Sequence, residues 1–135
     1  MRLVLIGAGG HSRSCLDVAT TAGWVVAGFL DPKPDAAMLG FPRLGGDEWL
    51  DNLLATQHDY TFLVAVGQVK GAELRQRIFN DLLRRQLPIA TLISSVASVS
   101  KYAQIGQGCT VHHHAAINAA ARIADNCIIN TSAVI

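Results

Sequence analysis

The first residues in the chain suited to meeting a ligand are glycines. Gly7-Ala8-Gly9-Gly10-His11 follows the apolar run RLVLI and precedes a stretch with helical spacing. Glycine lets a backbone approach a ligand closely, and the free N–H groups at the start of a following helix favour an anion. Asp31 closes a second apolar run 22 residues beyond Gly9, where a carboxylate can accept hydrogen bonds from ribose hydroxyls. These residues point to a nucleotide, with a nicotinamide dinucleotide as the first candidate. The dinucleotide fingerprint GxGxxG is incomplete, because its third glycine falls on Ser12. A tight strand-to-helix turn accounts for the same glycines equally well. Gly67-Gln68, after a third apolar run, is either a second wall of that cleft or an ordinary strand end.

Two other groups carry metal-ligating or redox atom types. His112-His113-His114 are consecutive, and neighbours along a strand point to opposite faces. Three in a row therefore do not converge on one ion, and a polar corner or a subunit contact is the simpler expectation, with no metal assigned. The 3 cysteines lack CxxC spacing, which argues against a disulfide framework or a zinc knuckle. They fit reduced thiols in the cytoplasm.

The elements that must position these residues alternate. Apolar runs at 2–6, 24–30 and 61–66 read as strands, and 11–22 and 73–86 as helices. The first helix turns Cys15, Leu16, Val18, Ala19 and Ala22 to one side. The second turns Leu74, Ile78, Leu82 and Leu83 inward, with Glu73 near its start and Arg84 and Arg85 near its end. Asp47 is placed to cap a short helix carrying Trp49, Leu50, Leu53 and Leu54. Strands alternating with helices predict a parallel, Rossmann-like α/β sheet over residues 1–88, whose ligand site lies at the carboxyl ends of its strands.

From residue 89 the rhythm changes. Ile93, Val99, Ile105, Val111, Ile117, Ile123, Ile129 and Ile135 recur every six residues. Two places before most of them stands a small residue: Ala97, Ala103, Cys109, Ala115, Ala121, Cys127 or Ala133. That period fits neither a helix nor an antiparallel strand, but it fits the first coils of a parallel β-helix over 89–135. In a triangular coil, residues 18 apart stack, so Cys109 and Cys127 lie one above the other as small core residues. With 16% charged residues, a net charge of +1 and no long apolar run, neither a nucleic-acid surface nor a membrane partner is expected.

Four segments in this order, RLVLIGAGGH, GFLD, VAVGQVK with ELRQRIF, and HHAAINAAARIADNCIINTSAVI, resemble the bacterial sugar acetyltransferases that modify sialic acids and UDP-4-amino sugars. The resemblance implies a Rossmann-like domain followed by a left-handed β-helix, assembled as a trimer. Acetyl-CoA is expected between neighbouring β-helices, and a sugar or nucleotide-sugar substrate on the first domain. It assigns substrate binding to Gly9, Gly10, His11, Ser12, Asp31, Gly67, Gln68 and Asn130. Asn130 also reads as a corner asparagine in a left-handed conformation. Pro32 stands where relatives often carry a second acidic residue, and GQVK looks closer to the sialic-acid type.

In that family a catalytic histidine paired with a carboxylate follows the segment matching NTSAVI. The expectation is therefore an amino-terminal part of the enzyme, inactive alone, with no catalytic residue among its 5 histidines. Whether transfer is to N or O is left open. Two other classes remain: a dinucleotide-binding, oxidoreductase-like module, and a non-catalytic binding or assembly module.

Overall fold

The computed structural model describes residues 1–53, 57–68 and 71–135. Strand β1 (Arg2–Ile6) forms where the sequence offers five residues rich in β formers. It leads through the glycine turn into helix α1 (Gly10–Thr21), then β2 (Val26–Leu30) and the short β3 (Arg43–Gly45). A single helical turn, α2 (Glu48–Asp51), precedes β4 (Tyr60–Val64) and helix α3 (Glu73–Arg84). The four strands form one sheet in the order β3-β2-β1-β4, with every pairing parallel.

Alternation along β1 sorts the core into two layers. Leu3 and Leu5 join Cys15, Leu16, Val18 and Ala19 of α1 on one face. Val4 and Ile6 join Leu50 together with Phe79 and Leu82 of α3 on the other.

Beyond α3 the chain runs beside β4, where Phe62 N–H donates to Pro88 O at 2.9 Å and Ala90 N–H donates to Phe62 O at 2.7 Å. It then enters seven two-residue strands. These are β5 (Leu92–Ile93), β6 (Ser98–Val99), β7 (Gln104–Ile105), β8 (Thr110–Val111), β9 (Ala116–Ile117), β10 (Arg122–Ile123) and β11 (Ile128–Ile129). They stack in parallel as β5-β8-β11, β6-β9 and β7-β10. Thr110 pairs with Leu92 on one side and Ile128 on the other, which is the 18-residue return expected from the sequence.

Each corner from the second coil onward turns through a left-handed residue: Gly108, His114, Ala120, Asn126 and Ser132 have φ of 76°, 60°, 68°, 61° and 62°. Val111, Ala115, Ile117, Ala121, Ile123, Ile129 and Ala133, at the small and branched positions after these corners, fill the interior, whereas Cys127 is half-buried and Ile135 exposed. Cys109 and Cys127 are ladder neighbours, with Thr110 N–H donating to Cys127 O at 2.9 Å, and both thiols are free.

Three local expectations are corrected. Leu74 and Leu83 of α3 are exposed, whereas Arg75 and Phe79 are buried. The helix is rotated because Arg75 finds acceptors on the coil, which a pattern of apolar spacing does not register. Asp47 makes no side-chain cap, because its backbone is already helical; Gly46 N–H instead donates to Glu48 Oε1 at 3.0 Å. Leu54 lies outside the described residues. Finally, Ile93 is 38% exposed although it keeps the six-residue beat, because among the described residues no strand stacks on the outer side of β5.

Candidate functional site at the strand-order switch

The strand order reverses at β1: β2 lies to one side of it and β4 to the other. In an open parallel sheet, the crevice beyond such a reversal is where ligands bind. Here it is bordered by the Gly7–Gly10 turn after β1 and the 65–68 segment after β4. Gly7 has φ of 123°, and a Cβ there would lie 2.9 Å from Val66 Cγ1, so only glycine lets the two loops meet. Gly67 brings the second loop against His11, since a Cβ on it would lie 3.3 Å from His11 Cβ.

Two clefts open from this crevice. One, of about 500 Å³, is lined by Gly10, His11, Ser14, Gly67, Gln68, Ile128 and Asn130. It lies between the glycine turn and the last described coil. The other, of about 390 Å³, is lined by Gly7, Leu30, Asp31, Val66, Arg77 and Arg85 among others. The carboxylate of Asp31 accepts one hydrogen bond, from Lys33 N–H at 2.9 Å, through Oδ1. Arg85 is held by Asp51 and Asp81 at 2.7 and 2.9 Å, whereas Arg77 has no ion pair among the described residues.

The expected site residues are therefore divided. Gly10, His11, Gly67, Gln68 and Asn130 share one cleft, and Asp31 lines the other. Gly9 is the exposed residue preceding α1. Ser12 faces inward: it is fully buried, its hydroxyl donates to Gly7 O at 2.6 Å, and it sits 3.0 Å from Met38 Sδ. Asn130 is exposed and is not a left-handed corner residue; Asn126 is. Val69 and Lys70 of the GQVK segment lie outside the described residues.

The histidine run separates into three environments. His112 is 1% exposed, its ring lies 5.1 Å from that of His11, and its Nε2 has no hydrogen-bond partner. His113 links the two parts of the chain: Ser94 Oγ is 2.7 Å from Nδ1, and Asp17 Oδ2 of α1 is 3.0 Å from Nε2. Both its ring nitrogens are engaged, so this histidine–carboxylate pair has none left to take a substrate proton. His114 is exposed at a corner.

His11 Nε2 lies 3.4 Å from Cys15 Sγ. Burial, followed by the neighbouring His112 and Arg75, lowers the His11 pKa to about 4, and burial pushes the Cys15 thiol up to about 12. Burial also lowers the His112 pKa, with His113 and Arg75 acting in the same direction. All three are neutral near pH 7.

Sequence reasoning missed Arg75, which is wholly buried on α3. It donates to Val64 O at the end of β4 and Val66 O just beyond it at 2.8 and 3.0 Å, and to Gly108 O and Asn126 O of the coil at 3.2 and 3.1 Å. Burial lowers its pKa from the ordinary arginine value. Arg75 thereby fixes the crevice loop against the coil. Gly108, glycine at a position where other corners carry a side chain, was the available signal. A Cβ there would lie 2.7 Å from Phe79 Cε2.

Residues 2–82 match the PglD N-terminal domain family. A mutant of perosamine N-acetyltransferase from Caulobacter crescentus, solved with CoA and GDP-perosamine, is similar over 100% of this chain and 62% of its own, at 33% identity and a TM-score of 0.90. The acetyltransferase domain of PglB from Neisseria gonorrhoeae is similar over 99% of this chain and 64% of its own, at 32% identity and a TM-score of 0.89. The same domain has been solved in complex with acetyl coenzyme A. The chain thus spans less than two thirds of the length of these solved chains. Among the described residues no helix is long and apolar enough to cross a membrane.

Proposed function

Because the chain belongs to the PglD N-terminal domain family, we propose that these residues form the acceptor-binding part of an acetyl-CoA-dependent sugar acetyltransferase whose acceptor is a nucleotide-activated amino sugar. The observation that carries this reading is the cleft shared by Gly10, His11, Gly67 and Gln68 with Ile128 and Asn130 of the coil. A dinucleotide module does not need a polar coil residue opposite its glycine turn. A bisubstrate transferase does, because the sugar must project from the sheet domain toward the acyl donor.

The neighbouring cleft suits the nucleotide. Asp31 has a second carboxylate oxygen for ribose hydroxyls, Arg77 carries a charge for the diphosphate, and the ends of β1 and β2 supply apolar walls. The sugar then extends past the turn to Gln68 and Asn130. Acetyl-CoA, the acyl donor, supplies an activated thioester, and the reading assigns it to the outer faces of a left-handed coil between copies in a trimer. No proton acceptor for the transfer is assigned. His113 has both nitrogens engaged, His112 is buried, and His11 is too weak a base with its pKa near 4. These residues hold and orient the acceptor. Three free cysteines suit a reducing compartment, and the cytoplasm is the proposed location.

Isothermal titration with GDP- and UDP-linked 4-amino sugars, CMP-sialic acid and NAD tests the reading. A 4-amino-sugar nucleotide is expected to bind, with affinity falling on the order of tenfold in Asp31→Ala and again in Gln68→Ala. A response to CMP-sialic acid alone would move the acceptor to the sialic-acid class. Binding of NAD without any sugar nucleotide would replace the reading with the dinucleotide one.

A further inference from the structure

We infer that His11, Cys15 and His112 form a site for a divalent transition metal of the zinc class, where α1 meets the coil. This goes beyond the acceptor reading and does not depend on it. His11 and Cys15 are four residues apart on one helix, so their side chains share a face. Their separation of 3.4 Å between Nε2 and Sγ is close to one edge of a tetrahedron built on Zn–N bonds of about 2.0–2.1 Å and Zn–S bonds of about 2.3 Å. His112 arrives from the coil, 101 residues beyond His11, and the three ligand atoms all lie within 4.8 Å of one another. A small contraction brings them to bonding distance of a common centre.

The second observation is His112 itself. It is 1% exposed, yet its Nε2 makes no hydrogen bond. A buried ring nitrogen without a partner costs stability, and ordinary packing of two imidazoles at 5.1 Å does not remove that cost. A metal ion does. Binding converts the Cys15 thiol to a thiolate and releases its proton to solvent. The thiolate also places a negative charge in the seam where buried Arg75 meets only neutral carbonyl oxygens.

Two imidazoles and one thiolate favour zinc or cobalt over magnesium or calcium. Three protein ligands leave a fourth position open. His11 also lines the cleft holding Gln68 and Asn130, so water or a donor atom from that cleft is the fourth ligand. The metal would clip the helix that follows the glycine turn to the second coil.

The test uses the untagged full chain, stripped with chelator and then titrated with zinc or cobalt(II). The expected result is one equivalent of zinc, with cobalt(II) giving tetrahedral visible bands and a thiolate-to-cobalt charge-transfer band. Cys15→Ala abolishes the charge-transfer band, and His112→Ala weakens zinc on the order of tenfold or more. His114→Ala and Cys127→Ala leave both unchanged. Absence of stoichiometric zinc overturns the proposal, as does a charge-transfer band that survives Cys15→Ala. If those variants fail to fold, the melting temperature of the unaltered chain decides: a rise that saturates at one zinc supports the site, and no rise overturns it.

Discussion

The guanidinium of Arg75, on helix α3, donates to the backbone carbonyl of Asn126 at 3.1 Å across 51 residues of sequence. The same side chain also reaches Gly108, Val64 and Val66, so one buried cation ties the end of β4 and the loop after it to two equivalent corners one turn of the coil apart. Removing it leaves four carbonyl oxygens without that donor in a dry seam. Arg75→Met is expected to lower stability by about 3 kcal/mol or more, and Arg75→Lys to recover little, because an ammonium lacks the planar fork. Urea unfolding followed by circular dichroism measures both. Full stability in either variant would show that the carbonyls find other partners.

Gly7→Ala introduces a Cβ at φ of 123° and 2.9 Å from Val66 Cγ1. The substitution is expected to cost about 1–3 kcal/mol and to reduce sugar-nucleotide affinity by displacing the loop after β4. Gly10→Ala meets nothing within 4 Å and should leave stability close to that of the unaltered chain. Equal effects from the two would argue against the loop contact as the cause.

Ile93 and Ile117 keep the same beat but differ in surroundings: 38% and 2% exposed. Ile117→Ala is expected to cost about 2–5 kcal/mol, and Ile93→Ala about 1 kcal/mol or less. Thermal melts of the two variants give the comparison directly, and similar losses would mean that the outer side of β5 is covered in solution.

Acid should weaken the seam. With chelator present, the His11 pKa is about 4 in the folded chain, against 6.5 for the ordinary group. Burial is the main cause; Cys15 lies on the same helix, His112 faces it from the coil and Arg75 from α3, while His113 acts on His112. Between those two values the unfolded chain binds a proton that the folded chain refuses. This contribution is therefore fully present above pH 6.5 and is lost as pH falls toward 4, with His112 acting in the same direction. Urea midpoints at pH 7, 5.5 and 4.5 should fall in that order, and more shallowly in His11→Gln. An unchanged slope in that variant would assign the acid sensitivity elsewhere.

The sequence alone was sufficient wherever structure repeats a local rule. The six-residue beat determined an 18-residue coil, because each branched or small residue meets the same corner geometry every turn. The apolar runs and the glycine turn likewise located β1, β2, β4 and the crevice beyond them, since parallel strands buried on both faces leave a plain signature. What the sequence left undecided depended on partners far along the chain. Apolar spacing turned Leu74 and Leu83 inward and gave no sign of Arg75, because the desolvation of a cation is offset only by acceptors that folding brings together. Ser12 looked like part of a ligand turn and proved to be the internal brace of that turn. His112 looked like one of three equivalent histidines. Tertiary packing alone buried it beside His11 and Cys15, because it placed the coil's second turn against α1, where His113 instead meets Asp17 near the surface and His114 stays exposed.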